Sequence, residues 1–138
     1  MTPQQIGLIQ ESWRKVLPIS DTAAELFYSR LFTLDPSLKP LFKGDMKEQG
    51  RKLMAMLGMV VSGLNSFDRL VPAVKELGRR HGGYGVQPAH YATVGEAFLW
   101  TLKQGLGDAF TEDTELAWAT AYGKVAELML SKQKAMAA

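Results

Sequence analysis

The two histidines are the residues best able to hold a metal in this 138-residue chain, which contains no cysteine. Without cysteine, thiolate-ligated zinc, iron–sulfur clusters and thiol redox chemistry are excluded. His81 closes the segment Leu77-Gly78-Arg79-Arg80-His81, and Gly82-Gly83-Tyr84-Gly85 follows at once. Leu70, Val74 and Leu77 precede it at helical spacing, and His81 continues their stripe. The last turn of a helix is therefore expected to aim an imidazole at an apolar interior. Neutral imidazole is the commonest protein metal ligand, and a metal carried on a large apolar cofactor suits such a setting. A hydrogen-bonded core histidine would give the same stripe. His90 stands at the start of the next helix, but the two histidines have no third ligand at a zinc-like spacing.

Two more polar residues face inward. Tyr28 sits among aliphatic and aromatic neighbours, where a hydroxyl needs a partner. Gln49 lies one turn before Leu53 and shares its side of the helix. Singly, they read as a core tyrosine tied to a backbone carbonyl and as a surface glutamine. As a pair they could aim hydrogen-bond donors at one spot. The common catalytic constellations are missing: there is no Gly-x-Ser-x-Gly elbow and no phosphate loop. No pair of carboxylates shares an inward face. A self-contained hydrolase is disfavoured.

The elements that must position these residues are nearly all helical. Thr2-Pro3-Gln4-Gln5 is a helix start with a capping box. Ile6, Ile9, Trp13, Val16 and Leu17 form its apolar face until Pro18 breaks it. A second helix is expected from about Asp21 to Leu34, with Ala24, Phe27, Tyr28, Leu31 and Phe32 inward. A short helical piece then leads to Phe42. Gly44-Asp45 is a turn before a long helix from about Met46 to Leu64, with Leu53, Leu57, Val60, Val61 and Leu64 on one face. The short helix carrying His81 follows. Pro88 opens the next, with Tyr91, Val94, Phe98 and Leu102 inward. Thr111 caps the last helix, which turns Trp118, Tyr122, Val125 and Met129 inward. No strand-like alternation competes. The expectation is one all-α domain over 1–138, with six main helices and a short one in crossed packing.

Lysines and arginines number 16 against 14 acids, a net charge of +2, and they are interleaved. No long basic block is present, so nucleic acid is not the expected partner. The cluster from Lys75 to Arg80 reads as a solvated helix face or as contacts to a ligand carboxylate. No secretory signal and no bilayer-length apolar run are visible, and a cytoplasmic location is expected.

Taken in order, these residues resemble the globins. Leu77-Gly78-Arg79-Arg80-His81, Tyr84-Gly85-Val86, His90-Tyr91 and Val94-Gly95 are similar to a globin proximal region. Glu11-Ser12-Trp13, Leu31-Phe32, Pro36, Phe42, Arg51-Lys52-Leu53-Met54, Ala117-Trp118 and Ala121-Tyr122-Gly123 extend the match along the whole chain. The similarity is greatest to single-domain bacterial globins, neuroglobin-like proteins and the globin domain of flavohaemoglobins. It implies a globin fold around a haem pocket and haem b (iron protoporphyrin IX) as cofactor. By the same resemblance His81 is the proximal iron ligand and Phe42 packs on the haem face. Tyr28, Gln49 and Leu53 form the distal ligand pocket. Leu57, Leu77, Tyr91, Val86 and Val94 contact the haem, and Lys52 and Arg80 reach its propionates.

The implied partners are the diatomic gases O2, CO and NO. Tyr28 and Gln49 would stabilise a polarised gas ligand, each by on the order of 1 kcal/mol. Glutamine ligates iron poorly, so an open or weakly occupied sixth site is expected; Tyr28 as a ferric phenolate ligand is the alternative. Gln133 stands where flavohaemoglobins place a glutamate, which weakens the case for peroxidase-like or dedicated nitric oxide dioxygenase chemistry. With no flavin or nicotinamide domain in the chain, sustained oxidation of nitric oxide would need an external reductase. Gas sensing and a haem-free structural role are the less favoured readings.

Overall fold

Thr2 starts the first helix as the sequence predicts: its hydroxyl accepts from the Gln5 amide while the Gln5 side chain accepts from the Thr2 amide, both at 3.1 Å. The computed structural model describes residues 2–42, 44–83 and 89–137, with side-chain surroundings given for all of these except 81–83 and 131–137. Among the described residues there are six α-helices and no strand. They are α1 (Pro3–Val16), α2 (Ser20–Leu34), α3 (Met46–Ser62), α4 (Phe67–Gly83), α5 (His90–Leu106) and α6 (Glu112–Ala137). Short 3-10 turns at Leu17–Ile19, Pro36–Leu41, Leu64–Ser66 and Gly107–Ala109 link them.

Local chemistry accounts for the boundaries. Pro18 removes a backbone donor and turns the end of α1 into a 3-10 turn. Gly44 takes φ +92°, which favours glycine, and delivers Asp45 to the N-cap of α3, where its carboxylate accepts from Lys47 N at 3.0 Å. Thr111 Oγ1 accepts from Thr114 N at 3.2 Å and caps α6. One expectation needs correction. The helix carrying His81 is not short: α4 has 17 residues, beginning at Phe67 and passing through Pro72. The described part of α5 begins at His90, so Pro88 as its opener lies outside the described residues.

The apolar stripes fold into two clusters. The larger joins α1, α3, α4 and α6 through residues such as Ile9, Trp13, Val61, Val74 and Trp118. The smaller joins α2 to α5 and the Pro36–Leu41 turn through Phe27, Tyr28, Leu31, Leu38 and Ala97. Phe98 packs against both. Ile9, Leu31 and Val74 are fully buried, and truncating Leu31 to alanine would cost roughly 2–5 kcal/mol.

Glycines let α6 draw the other helices close. A Cβ at Gly78 of α4 would meet the backbone oxygen of Met129 at 2.5 Å, and one at Gly95 of α5 would meet the Tyr122 ring at 3.2 Å. α4 thus packs mainly on α6, α5 mainly on α2, and α3 on α2 and α1. Among the described residues, α3, α4 and α5 make no extensive contact with one another. No helix of the described residues is long and apolar enough to cross a membrane.

Candidate functional site

The candidate apolar residues stand on α3, α4 and α5, which make no extensive contact with one another among the described residues, and at the end of the Pro36–Leu41 turn. Phe42, Leu53 and Val94 lie half-buried at the edge of the smaller cluster. Leu57, Leu77 and Tyr91 lie half-buried at the edge of the larger one. The apolar residues predicted for a cofactor pocket therefore border a seam between two cores. His81 stands in the last turn of α4, one turn after Gly78 fixes that helix against α6. The side chain of His81 and the whole of Val86 lie outside the described residues, as does the side chain of Gln133.

Tyr28 is the best-defined polar group on the α2 side. It is buried, and its ring sits edge-on to Phe27 and Phe42 at 5.1 and 5.3 Å and stacked on Phe32 at 6.1 Å. Burial pushes its hydroxyl pKa up to about 12, so the group stays a protonated donor at neutral pH. Its proton goes to the backbone carbonyl of Gln49 at 3.3 Å. The structure thus brings the two positions together, with Tyr28 donating to the Gln49 backbone. That distance is long for an O–H···O bond, which prefers 2.5–3.0 Å, so the bond is weak and readily exchanged. Tyr28 here does what a core tyrosine does.

The charged candidates lie outside. Lys52 and Arg80 are exposed. Arg80 reaches Glu76 at 3.6 Å, and Arg79 donates to the same carboxylate at 2.9 Å. A solvated helix face is the reading these pairs support for the Lys75–Arg80 cluster, and such exposed pairs contribute little to stability.

A contact unforeseen in the sequence holds the α5 side. Tyr122 of α6 donates to the backbone carbonyl of Tyr91 at 2.5 Å. Burial, then the nearby Tyr91, push the Tyr122 hydroxyl pKa far up, partly offset by the backbone of Gly95. Burial also raises that of Tyr91. The available signal was a glycine, Gly95, on the inner face of a predicted helix, which marks a close approach.

The Globin family model matches residues 25–129 of this chain. The chain belongs to the globin family. A flavohemoprotein of Bacillus subtilis is 33% identical over 119 residues, covering 84% of this chain and 30% of its own length. One from Vibrio cholerae is 28% identical over 139 residues, covering 99% of this chain and 35% of its own. This globin spans about a third of the length of those curated relatives. Among solved structures, a bacterial globin from Campylobacter jejuni superposes with a TM-score of 0.84 at 26% identity, covering 98% of each chain. An engineered carbene transferase, derived from a candidate nitric oxide dioxygenase of Rhodothermus marinus, gives 0.88 at 26% identity over 99% of this chain and 95% of its own. A hexacoordinated haem protein of an anhydrobiotic tardigrade shares the fold, with a TM-score of 0.87 at 19% identity over 97% and 96% of the two chains.

The globin family and its haem-protein relatives imply a haem, and the residues present fit one. A haem presents two flat apolar faces and a carboxylate edge. The seam offers apolar side chains from three helices that, among the described residues, make no extensive contact with one another. A histidine stands in the last turn of α4, and cationic side chains stand at exposed positions of α3 and α4.

Proposed function

We propose that this globin binds haem b along the seam between α3, α4 and α5 and reversibly binds diatomic gases, for oxygen binding, storage or transport. The haem, when bound, supplies a metal centre with affinity for O2, CO and NO. His81 is the proposed iron ligand. Phe42, Leu53, Leu57, Leu77, Val86, Tyr91 and Val94 provide apolar contacts, while Lys52 and Arg80 face the carboxylates. Burying apolar side chains against a macrocycle contributes about 25 cal/mol per Å², so these contacts supply much of the affinity. Arg80 would have to exchange its contact with Glu76 for a carboxylate of the haem.

Tyr28 carries this reading. A buried hydroxyl that stays protonated and gives its proton to a carbonyl at 3.3 Å can turn to a better acceptor at little cost. A polarised gas ligand in the same pocket is such an acceptor. Gln49, adjacent through that bond, adds an amide donor. The absorption spectrum of the haem-loaded protein tests the proposal. A five-coordinate ferrous form that converts to a stable oxygen complex is expected. A six-coordinate ferrous form would overturn the distal assignment, and failure to take up haem would overturn the whole reading.

A second reading is nitric oxide dioxygenation, in which nitric oxide, dioxygen and one electron yield nitrate. The likeness to flavohemoproteins and to the Rhodothermus marinus protein supports it. The electron would come from a separate reductase. Steady nitrate production with a reductase present, rather than a single turnover, is the discriminating measurement.

A further inference from the structure

The charge of this globin is unevenly distributed. Between Lys39 and Arg80, nine lysines and arginines stand against four acids, a local charge of +5, while the rest of the chain carries seven against ten, a charge of −3. That basic stretch builds α3 and α4, the walls of the proposed haem site. The Leu64–Ser66 turn joins the two helices. It is tight, for a Cβ at Gly63 would meet the Leu70 side chain at 2.6 Å. The start of α3 and the end of α4 are therefore the two ends remote from the turn. Exposed Lys47, Arg51 and Lys52 stand at the first, and exposed Lys75, Arg79 and Arg80 at the second. On the same helices, Leu53 and Leu77 border the seam.

Helix stability does not explain Lys47. Lys47 stands in the first turn of α3, where a cation opposes the helix dipole. Asp45, Glu48 and Glu76 interleave with these cations. Such a mixed pattern suits a protein surface with its own pattern of charges better than a uniformly anionic polymer or bilayer.

We infer that this basic rim docks a one-electron-donor protein through an acidic face, beside the proposed haem edge. The inference rests on the haem reading above, and it names the surface and the partner's chemistry. Opposite net charge raises the encounter rate and orients the partner, and both effects fade as salt shortens the screening length.

The test uses the haem-loaded protein and flavodoxin, a small acidic flavoprotein, as probe. Affinity is measured by titration calorimetry at low and high ionic strength. Binding at low salt is expected, falling steeply as salt rises. The triple variant Lys47→Glu, Arg51→Glu, Lys75→Glu should weaken it about tenfold or more, since several charge pairs reverse sign. The double variant Glu112→Gln, Glu115→Gln, with both residues exposed at the start of α6, should leave it within about twofold. Among the described residues α6 makes no extensive contact with α3, and it meets Gly78 of α4 at Met129, several turns further along. Circular dichroism and the haem spectrum confirm that each variant is folded and loaded. Salt-independent binding, or equal loss in both variants, would overturn the docking alone. Tighter binding of the rim to vesicles of anionic phospholipid than to flavodoxin would also overturn it, in favour of a membrane surface. Failure of the unmodified protein to take up haem would overturn the haem reading and this one with it.

Discussion

Gly78 lies against the backbone of Met129 so closely that a Cβ there would fall 2.5 Å from the carbonyl oxygen and 2.6 Å from the Cα. Both obstacles are main-chain atoms of a helix and cannot swing aside. Gly78→Ala must therefore push α4 away from α6. Helix propensity favours the alanine by about 1 kcal/mol, whereas overpacking a tight contact costs typically 1–3 kcal/mol. The steric effect should win, giving a net loss of up to about 2 kcal/mol in denaturant unfolding. A more stable Gly78→Ala protein would mean that the helices are not so close. His81 lies one turn further along α4, so the same change should also disturb its setting.

Trp118 donates its indole N–H to Ser12 Oγ at 2.8 Å, joining α6 to α1 across 106 positions. The serine hydroxyl in turn lies 2.7 Å from the Leu8 carbonyl. Ser12→Ala strands a buried indole donor, which costs about 1–3 kcal/mol. Trp118→Phe removes that donor but also aromatic volume packed on Trp13 and Phe98, so it should cost more. In the double variant the two losses should fall short of additive by about 1 kcal/mol, because the stranded donor is gone. Strict additivity in equilibrium unfolding would show that the bond has no net effect.

The helices were legible in the sequence because each apolar stripe repeats at helical spacing and some starts carry their own signal, such as Thr2 with Gln5 or Asp45 before Met46. The inward faces of α2 and of the C-terminal half of α3 followed from that periodicity. What the stripe cannot convey is distance between helices. Phe98 and Leu57 both sit on apolar faces, yet Leu57 borders a seam and Phe98 bridges two clusters. The close approaches at Gly78 and Gly95 depend on α6, which is remote in sequence. The pairing of Tyr28 with Gln49 was legible as shared direction, and a bond from Tyr28 to a backbone carbonyl as the ordinary state of a buried tyrosine, but not that the carbonyl is that of Gln49, because a main-chain acceptor has no residue signature. The start of α4 was not legible: the helix begins at Phe67 and accommodates Pro72, a residue that ordinarily interrupts helices.

If Tyr28 donates to a polarised gas, Tyr28→Phe should speed oxygen dissociation from the haem-loaded protein. Loss of about 1 kcal/mol of hydrogen bonding corresponds to roughly a fivefold faster off-rate. Carbon monoxide, a less polarised ligand, should respond less. Stopped-flow displacement gives both rates. An equal acceleration for the two gases would indicate altered pocket shape, and no acceleration for oxygen would remove Tyr28 from the proposed site.

Alkaline pH provides a test of burial that needs no ligand. The Tyr28 hydroxyl pKa is raised from 10.0 to about 12 by desolvation. The unfolded chain therefore loses this proton more easily than the folded one. The neutral-state contribution is complete below pH 10 and is lost as pH climbs through 12, up to about 2–3 kcal/mol for such a shift. Tyr122 is shifted in the same direction and should steepen the fall. Stability should thus be insensitive to these groups below pH 10 and decline above it. Tyr28→Phe removes one titrating group without removing the ring, so its stability profile should be flatter between pH 10 and 12 than that of the unmodified protein. Parallel profiles would mean that the Tyr28 hydroxyl titrates as though exposed to water, and that the α2 pocket is open where the structure has it closed.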